Sequence, residues 1–223
     1  MYALVVMAGL VTGAPMALLT VRDAAADRDA VDAARIDWAT GFVTAGGTGI
    51  ADRHAPSPAV ALGTSRRGAD EVAKQRIAAK LGSLPLAAGG TLAEKLADRA
   101  IKARIDAAVE AAITIAAEPE TDGSWHVTLG VPLEAIRLAL TAPRKLPPAG
   151  DRGPPIVVVD GVAAPPSIGW TVGGVAAATL WVKDVPAWAK DAPRVTASSA
   201  QAGAIDVDAH GTDATLYVLV TKS

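Results

Sequence analysis

The chain has 223 residues, 51% of them hydrophobic, and a formal net charge of −2 at pH 7. That is a globular composition, and its near-balance of charge excludes the strongly basic surface of a nucleic-acid binder. The lack of cysteine excludes disulfides, thiolate metal sites and a cysteine-linked lipid anchor.

No charged side chain occurs from Tyr2 to Val21. The apolar run Tyr2–Val11 is of the kind found in the core of a signal peptide, and its continuation through Leu19 reaches the roughly 18–20 residues of a retained membrane anchor. Ala24-Ala25-Ala26 offers a small-x-small cleavage site. The alternative is an ordinary buried segment broken at Gly13 and Pro15, in a cytoplasmic protein. The expectation is export, with residues 1–26 as signal peptide or membrane anchor and Asp23–Asp37 as an alanine-rich helical lead-in.

From Arg35 to Asp52 the sequence reads as extended chain, with Trp38, Phe42, Val43 and Ile50 spaced by Gly and Thr. Pro56 and Pro58 predict a loop over His54–Gly63. Ser65 then caps a helix to Leu81, whose apolar face is Ala69, Val72, Ala73, Ile77 and Leu81. Arg66 and Arg67 fall on its opposite, charged side. Thr91 and Glu94 form a capping box for a second, long helix with a stripe from Leu92 to Ile113, ending near Glu118-Pro119. Asp122-Gly123 marks a turn. Trp125, Val127, Leu129 and Val131 alternate with polar or small residues as a half-buried strand, and a short helix follows over Leu133–Leu140.

Ala142–Pro155 contains five prolines and two glycines, the composition of a linker. Short strand-like runs follow at Ile156–Val159, Ile168–Val172, Ala178–Val182, Val195–Ala197, Ile205–Val207 and Thr215–Thr221. The second half therefore reads as mainly β.

Three patterns invite a chemical reading. Gly46, Gly47 and Gly49 mimic a dinucleotide loop, but such a loop must lead into a helix N-terminus. Pro56 and Pro58 argue against that helix, and no Tyr-x-x-x-Lys pair accompanies the glycines. A nucleotide-dependent oxidoreductase is the least favoured function. Asp206, Asp208 and Gly211 mimic a calcium loop, yet its twelfth position is Tyr217 where a bidentate Glu is needed. The simpler reading is a hairpin between Ala204–Val207 and Thr215–Val220. His54, His126 and His210 are far apart, and His126 is expected to face solvent. No catalytic residue, cofactor or metal is assigned. Trp170, Trp181 and Trp188 are either core or exposed contacts for a glycan or partner. Arg66 and Arg67 are either solvated charge or carboxylate-binding groups at an interface.

The order of elements carries a resemblance. Trp38, Gly46-Gly47-x-Gly49-x-Ala51, Arg66-Arg67-x-Ala69-Asp70-x-x-Ala73, Ile77-x-x-x-Leu81 and Asp122-Gly123-x-Trp125-x-Val127 together resemble the LPP20 lipoprotein family. That family is similar to the N-terminal domain of outer-membrane flagellar assembly proteins, and the likeness spans roughly 36–140. It implies an α+β fold, two helices packed on a small antiparallel sheet, and a non-enzymatic periplasmic or outer-membrane-associated protein. The departure is the missing lipidation cysteine. The expected organisation is 1–26 leader or anchor, 36–141 LPP20-like domain, 142–155 linker and 156–223 a smaller, mainly β C-terminal region. The expected function is a structural or interaction role in the cell envelope. A homo-oligomer or an envelope protein is the expected partner, the N-terminus is the expected membrane contact, and no nucleic acid is involved. The alternative is a carbohydrate- or peptidoglycan-binding module using the C-terminal tryptophans.

Overall fold

The alternation of Val43, Ala45, Gly47 and Gly49 with polar or small neighbours on one segment, and of Val127, Leu129 and Val131 on another, gives two strands with one apolar face. They form the centre of the first sheet. A computed structural model describes residues 32–141, 155–208 and 214–222. The expected leader at 1–26, and all of the expected linker except Pro155, lie outside these residues. Strands β1 (Arg35–Asp37), β2 (Phe42–Gly49), β3 (Ile113–Pro119) and β4 (Trp125–Pro132) assemble in the order β1-β2-β4-β3, every pair antiparallel.

Helix α1 (Pro58–Leu81) lies on β2 and β4. It buries Ser65, Ala69, Ala73, Ile77 and Leu81, one residue every fourth position, so a single row faces the sheet. The expected loop over His54–Gly63 is corrected here, because the helix starts at Pro58. Proline at the first helical position sacrifices no hydrogen bond, since that N–H has no partner within a helix. Ser57, not Ser65, is the cap, and its Oγ accepts from the Val60 amide at 3.3 Å.

The expected long second helix is also corrected. Helix α2 (Leu92–Lys95) stops within a turn, and α3 (Arg99–Glu110) begins afresh. Asp98 causes the break: its Oδ1 accepts from the amides of Ala100 and Ile101 at 2.7 and 3.2 Å, which fixes a new N-terminus. Beyond Ala111, the β-branched run Ile113-Thr114-Ile115 prefers a strand and forms β3. Helix α3 packs against α1 and against α4 (Leu133–Leu140), where Arg104 Nε donates to the Ala139 carbonyl at 2.6 Å. Trp38, expected in a strand, lies in the turn between β1 and β2.

The second sheet contains β5 (Ile156–Val162), β6 (Thr171–Val172), β7 (Val175–Ala176), β8 (Ala178–Val182), β9 (Arg194–Gln201), β10 (Ala204–Val207) and β11 (Leu216–Thr221), in the order β7-β6-β10-β9-β5-β11-β8. The run β9-β5-β11-β8 is parallel throughout. Parallel strands are normally covered on both faces, and the valine-rich sequences of β5 and β11 meet that need. Val157, Val159, Tyr217 and Leu219 join Trp170, Trp181 and Ile205 in one core. Val158 and Val218 point the other way and are covered by Ala189, from the short 3₁₀ turn Ala187–Ala189. The expected hairpin between 204–207 and 215–220 does not form: β10 pairs with β9 and β6, and β11 with β5 and β8. β10 instead turns back on β9 directly, with Ala204 opposite Gln201, and β11 is inserted between β5 and β8.

Four helices and two sheets thus make a mixed α+β fold among the described residues. The two cores meet where Leu86 bridges Ile168 and at the Trp38 turn. The Trp181 amide donates to the Trp38 carbonyl at 3.0 Å, and Trp38 packs against both cores. Gly41 sits beneath the Leu180 side chain with φ +75°, a conformation that favours glycine.

Candidate functional site

The glycine segment occupies the middle of β2, paired residue by residue with β4 from Thr44–Gly130 to Gly49–Trp125. Each glycine makes room for a different neighbour. A Cβ on Gly47 would fall on the Ala69 carbonyl oxygen and 2.7 Å from the Ala73 amide nitrogen. One on Gly49 would strike the Ser65 carbonyl, and Ser65 Oγ donates to the Gly49 carbonyl at 2.6 Å. One on Gly46 would collide with the Asp32 carboxylate. The helix begins at Pro58, earlier than expected, but the body of α1, not its N-terminus, covers Gly47 and Gly49. A phosphate cradle needs glycines in a loop facing helix N–H groups; these glycines serve helix packing.

Asp32 is the centre of a polar cluster on the free edge of β2. β1 ends opposite Thr44, so β2 has no strand neighbour there beyond that point. Arg76 reaches round from α1 and fills the gap. Its Nη1 donates to the Gly46 carbonyl at 2.8 Å and lies 3.0 Å from Asp32 Oδ2. His126 Nε2 lies 3.4 Å from Asp32 Oδ1, and His126 Nδ1 is 3.3 Å from Thr48 Oγ1. His126 is therefore half-buried and partnered, which corrects the expectation that it faces solvent. The order carboxylate, imidazole, hydroxyl is that of a nucleophile relay. Here the Arg76 guanidinium holds the carboxylate, and Thr48 and His126 are directly opposed in neighbouring strands. The arrangement does the work of a clasp, fixing residue 32 to the sheet. Sequence reasoning missed Arg76 and Asp32; the available signal was an arginine bordering the Ala73–Ile77 face of α1.

A groove of about 410 Å³ lies at the start of α1, lined by Ala51, Arg53, Ser57, Pro58, Leu62 and Asp122 among others. The Ser124 hydroxyl and amide, hydrogen-bonded to Asp122, hold its carboxyl below the ordinary value of 3.8. Asp52 and Asp122 against Arg53 leave the groove lining with one carboxylate in excess.

The predicted contact residues separate into two groups. Trp170 and Trp181 are 4% and 3% exposed and meet edge to face, their ring centroids 6.0 Å apart. Trp170 Nε1 donates to Ser167 Oγ at 2.7 Å. Burial leaves neither ring a face on which to stack a sugar. Trp188 is 56% exposed, on the 3₁₀ turn. Arg66 and Arg67 are exposed on α1. The Arg66 guanidinium lies 5.2 Å from the centre of the Trp125 ring, a cation–π distance, and Arg67 Nε approaches the Gly63 carbonyl. The two arginines share a helix but have different partners, and neither is close to Trp188 in the sequence or on the same element. Residues 209–213, which include His210 and Gly211 of the calcium-like segment, lie outside the described residues.

No family model matches this chain, and no curated protein matches it. Among the described residues, no group of three or more His, Asp or Glu side chains is placed to hold a metal ion, and no helix is long and apolar enough to cross a membrane.

The most distinctive free surface is β3. It is the outer strand of the first sheet, with β4 on one side only. Ile113 and Ile115 are 48% and 53% exposed. A register shift between Thr114 and Ala116 lays the end of Ile115 over Gly130, on the sheet face away from α1.

Proposed function

We propose that this protein is a non-enzymatic component of the cell envelope with a structural or protein-interaction role, similar in kind to the LPP20 lipoprotein family. The observation that carries the interaction role is the β3 edge. A seven-residue strand that pairs on one side only among the described residues, with two exposed isoleucines, is a template for another chain. Edge strands without such a use are ordinarily kept short or charged along their length, and β1, the opposite edge, has only three residues. The uncharged segment Tyr2–Val21 supports envelope location. The finer architecture that the LPP20 likeness implies, two helices on the first sheet with a separate C-terminal region, belongs to the same proposal.

Cell fractionation combined with N-terminal sequencing of the mature protein tests the proposal. The expected result is a protein in the periplasmic or outer-membrane fraction, either cleaved after the Ala24–Ala26 segment or retained with its apolar N-terminus. Recovery of the intact chain as a soluble cytoplasmic protein would overturn it.

A further inference from the structure

The β3 edge also specifies the chemistry of its partner, an inference that rests on the interaction role proposed above. Between Ile105 and Ser124 the sequence contains Asp106, Glu110, Glu118, Glu120 and Asp122 and not one Lys, Arg or His. Lys102 pairs with Asp106, and Lys74 with Glu110. Glu118, exposed on β3 itself, joins no ion pair among the described residues. The register sets its direction. Ile113 is opposite Gly130, Ala116 opposite Thr128 and Glu118 opposite His126, all on the face turned away from α1. The bulge brings Ile115 over Gly130 on that same face. One side of the edge therefore presents two apolar side chains followed by an unpaired carboxylate.

We infer that β3 accepts an extended, basic segment of a partner protein as an added strand. Its backbone would complete the hydrogen bonds of Ile113–Glu118, while Pro119, lacking an N–H, ends the pairing. Side chains at every second position of the added strand share one face. The fitting segment thus carries two apolar residues and a Lys or Arg on that face, the cation opposite Glu118. A second copy of this chain is the poorer occupant. Two β3 strands paired antiparallel about Ala116 would set Glu118 of each copy opposite Thr114 of the other, so a second copy brings no cation to that carboxylate.

The test uses the whole protein and a short capped peptide with valine, valine and lysine at successive alternate positions and serine between them, followed by amide NMR shifts and by titration at two salt concentrations. The expected result is shifts concentrated at Ile113–Glu118 and binding that weakens with salt. Glu118→Lys should weaken it about tenfold, a loss of about 1.4 kcal/mol, and the same peptide with glutamate in place of its lysine should recover affinity for that variant. Glu118 is exposed, so the substitution leaves the fold in place. No β3 shifts at millimolar peptide, equal binding by Glu118→Lys, or concentration-dependent dimers formed through β3 would each overturn the inference. None of these outcomes changes where the protein fractionates, so the envelope proposal is judged separately.

Discussion

Gly47→Val is expected to destabilise the protein by at least about 3 kcal/mol, the upper part of the range for overpacked cores. The added side chain would meet the Ala69 carbonyl and the Ala73 amide, both backbone atoms of α1. A flexible side chain can move aside, but a helix backbone moves only with its whole row of contacts. Relief would require α1 to lift from the sheet, exposing Ala69, Ala73 and Ile77, all fully buried. Urea denaturation is the appropriate measurement, with a midpoint lowered by about 1 M or more at ordinary slopes. Gly63→Ala is the control within the same helix. Its added Cβ meets nothing, and replacing a helical glycine by alanine should stabilise by about 0.5–1 kcal/mol. An unchanged midpoint for Gly47→Val would refute the close-packing role of the glycine segment.

Trp181→Ala is expected to cost about 3–5 kcal/mol, the usual loss for a large aromatic removed from a core. Trp181 is packed edge to face with Trp170 and sits among Val157, Val159 and Tyr217. Its indole N–H is buried with no hydrogen-bond partner, so Trp181→Phe should cost much less than Trp181→Ala. Trp188→Ala, at an exposed position, should stay within about 0.5 kcal/mol of the parent. Because the Trp38 turn is shared by both cores, fluorescence and far-UV circular dichroism should report one coincident transition in all these proteins. Comparable losses at Trp181 and Trp188 would contradict the division between buried and exposed tryptophans.

Local pattern carried most of the strand positions. The alternation through Trp125–Val131 and the short apolar runs at 156–159, 178–182 and 205–207 fall within observed strands, the first marked by a period of two and the others by short apolar runs between turn residues. Helix boundaries were less legible where one residue has two meanings. Pro58 breaks a helix from inside but starts one from its first position, and only the Ser57 cap distinguishes the cases. Asp98 reads as a polar residue on a long helix until its carboxylate is seen holding the Ala100 and Ile101 amides. The apolar stripe continuing to Ile113 concealed the change from period 3.6 to period two.

The candidate sites were less legible still, since they depend on which distant segments meet. Asp32, Gly46, Arg76 and His126 come from four separate parts of the chain, and nothing in their spacing announces the clasp. The exposure of β3 follows from its place at the sheet edge, a property of topology rather than of the sequence Ile113–Pro119. The burial of Trp170 and Trp181 likewise depends on their meeting strands synthesised later.

The parallel insertion of β11 between β5 and β8 has a kinetic consequence. Ile156 pairs with Leu216, 60 positions later, with no hairpin to bring them together. Such non-local contacts raise contact order, because the entropy of closing a long loop is lost before any pairing repays it. During synthesis the two valine-rich faces of β5 stay without their inner neighbour until β11 has been made. The first sheet closes a still longer loop, Phe42 pairing with Pro132, but all its strands precede β5 in the chain, so during synthesis it can consolidate earlier. Tyr217→Ala should slow stopped-flow refolding followed at tryptophan no less than it speeds unfolding, as expected where β11 docking is part of the rate-limiting step. Refolding insensitive to that substitution would place β11 docking after the rate-limiting step.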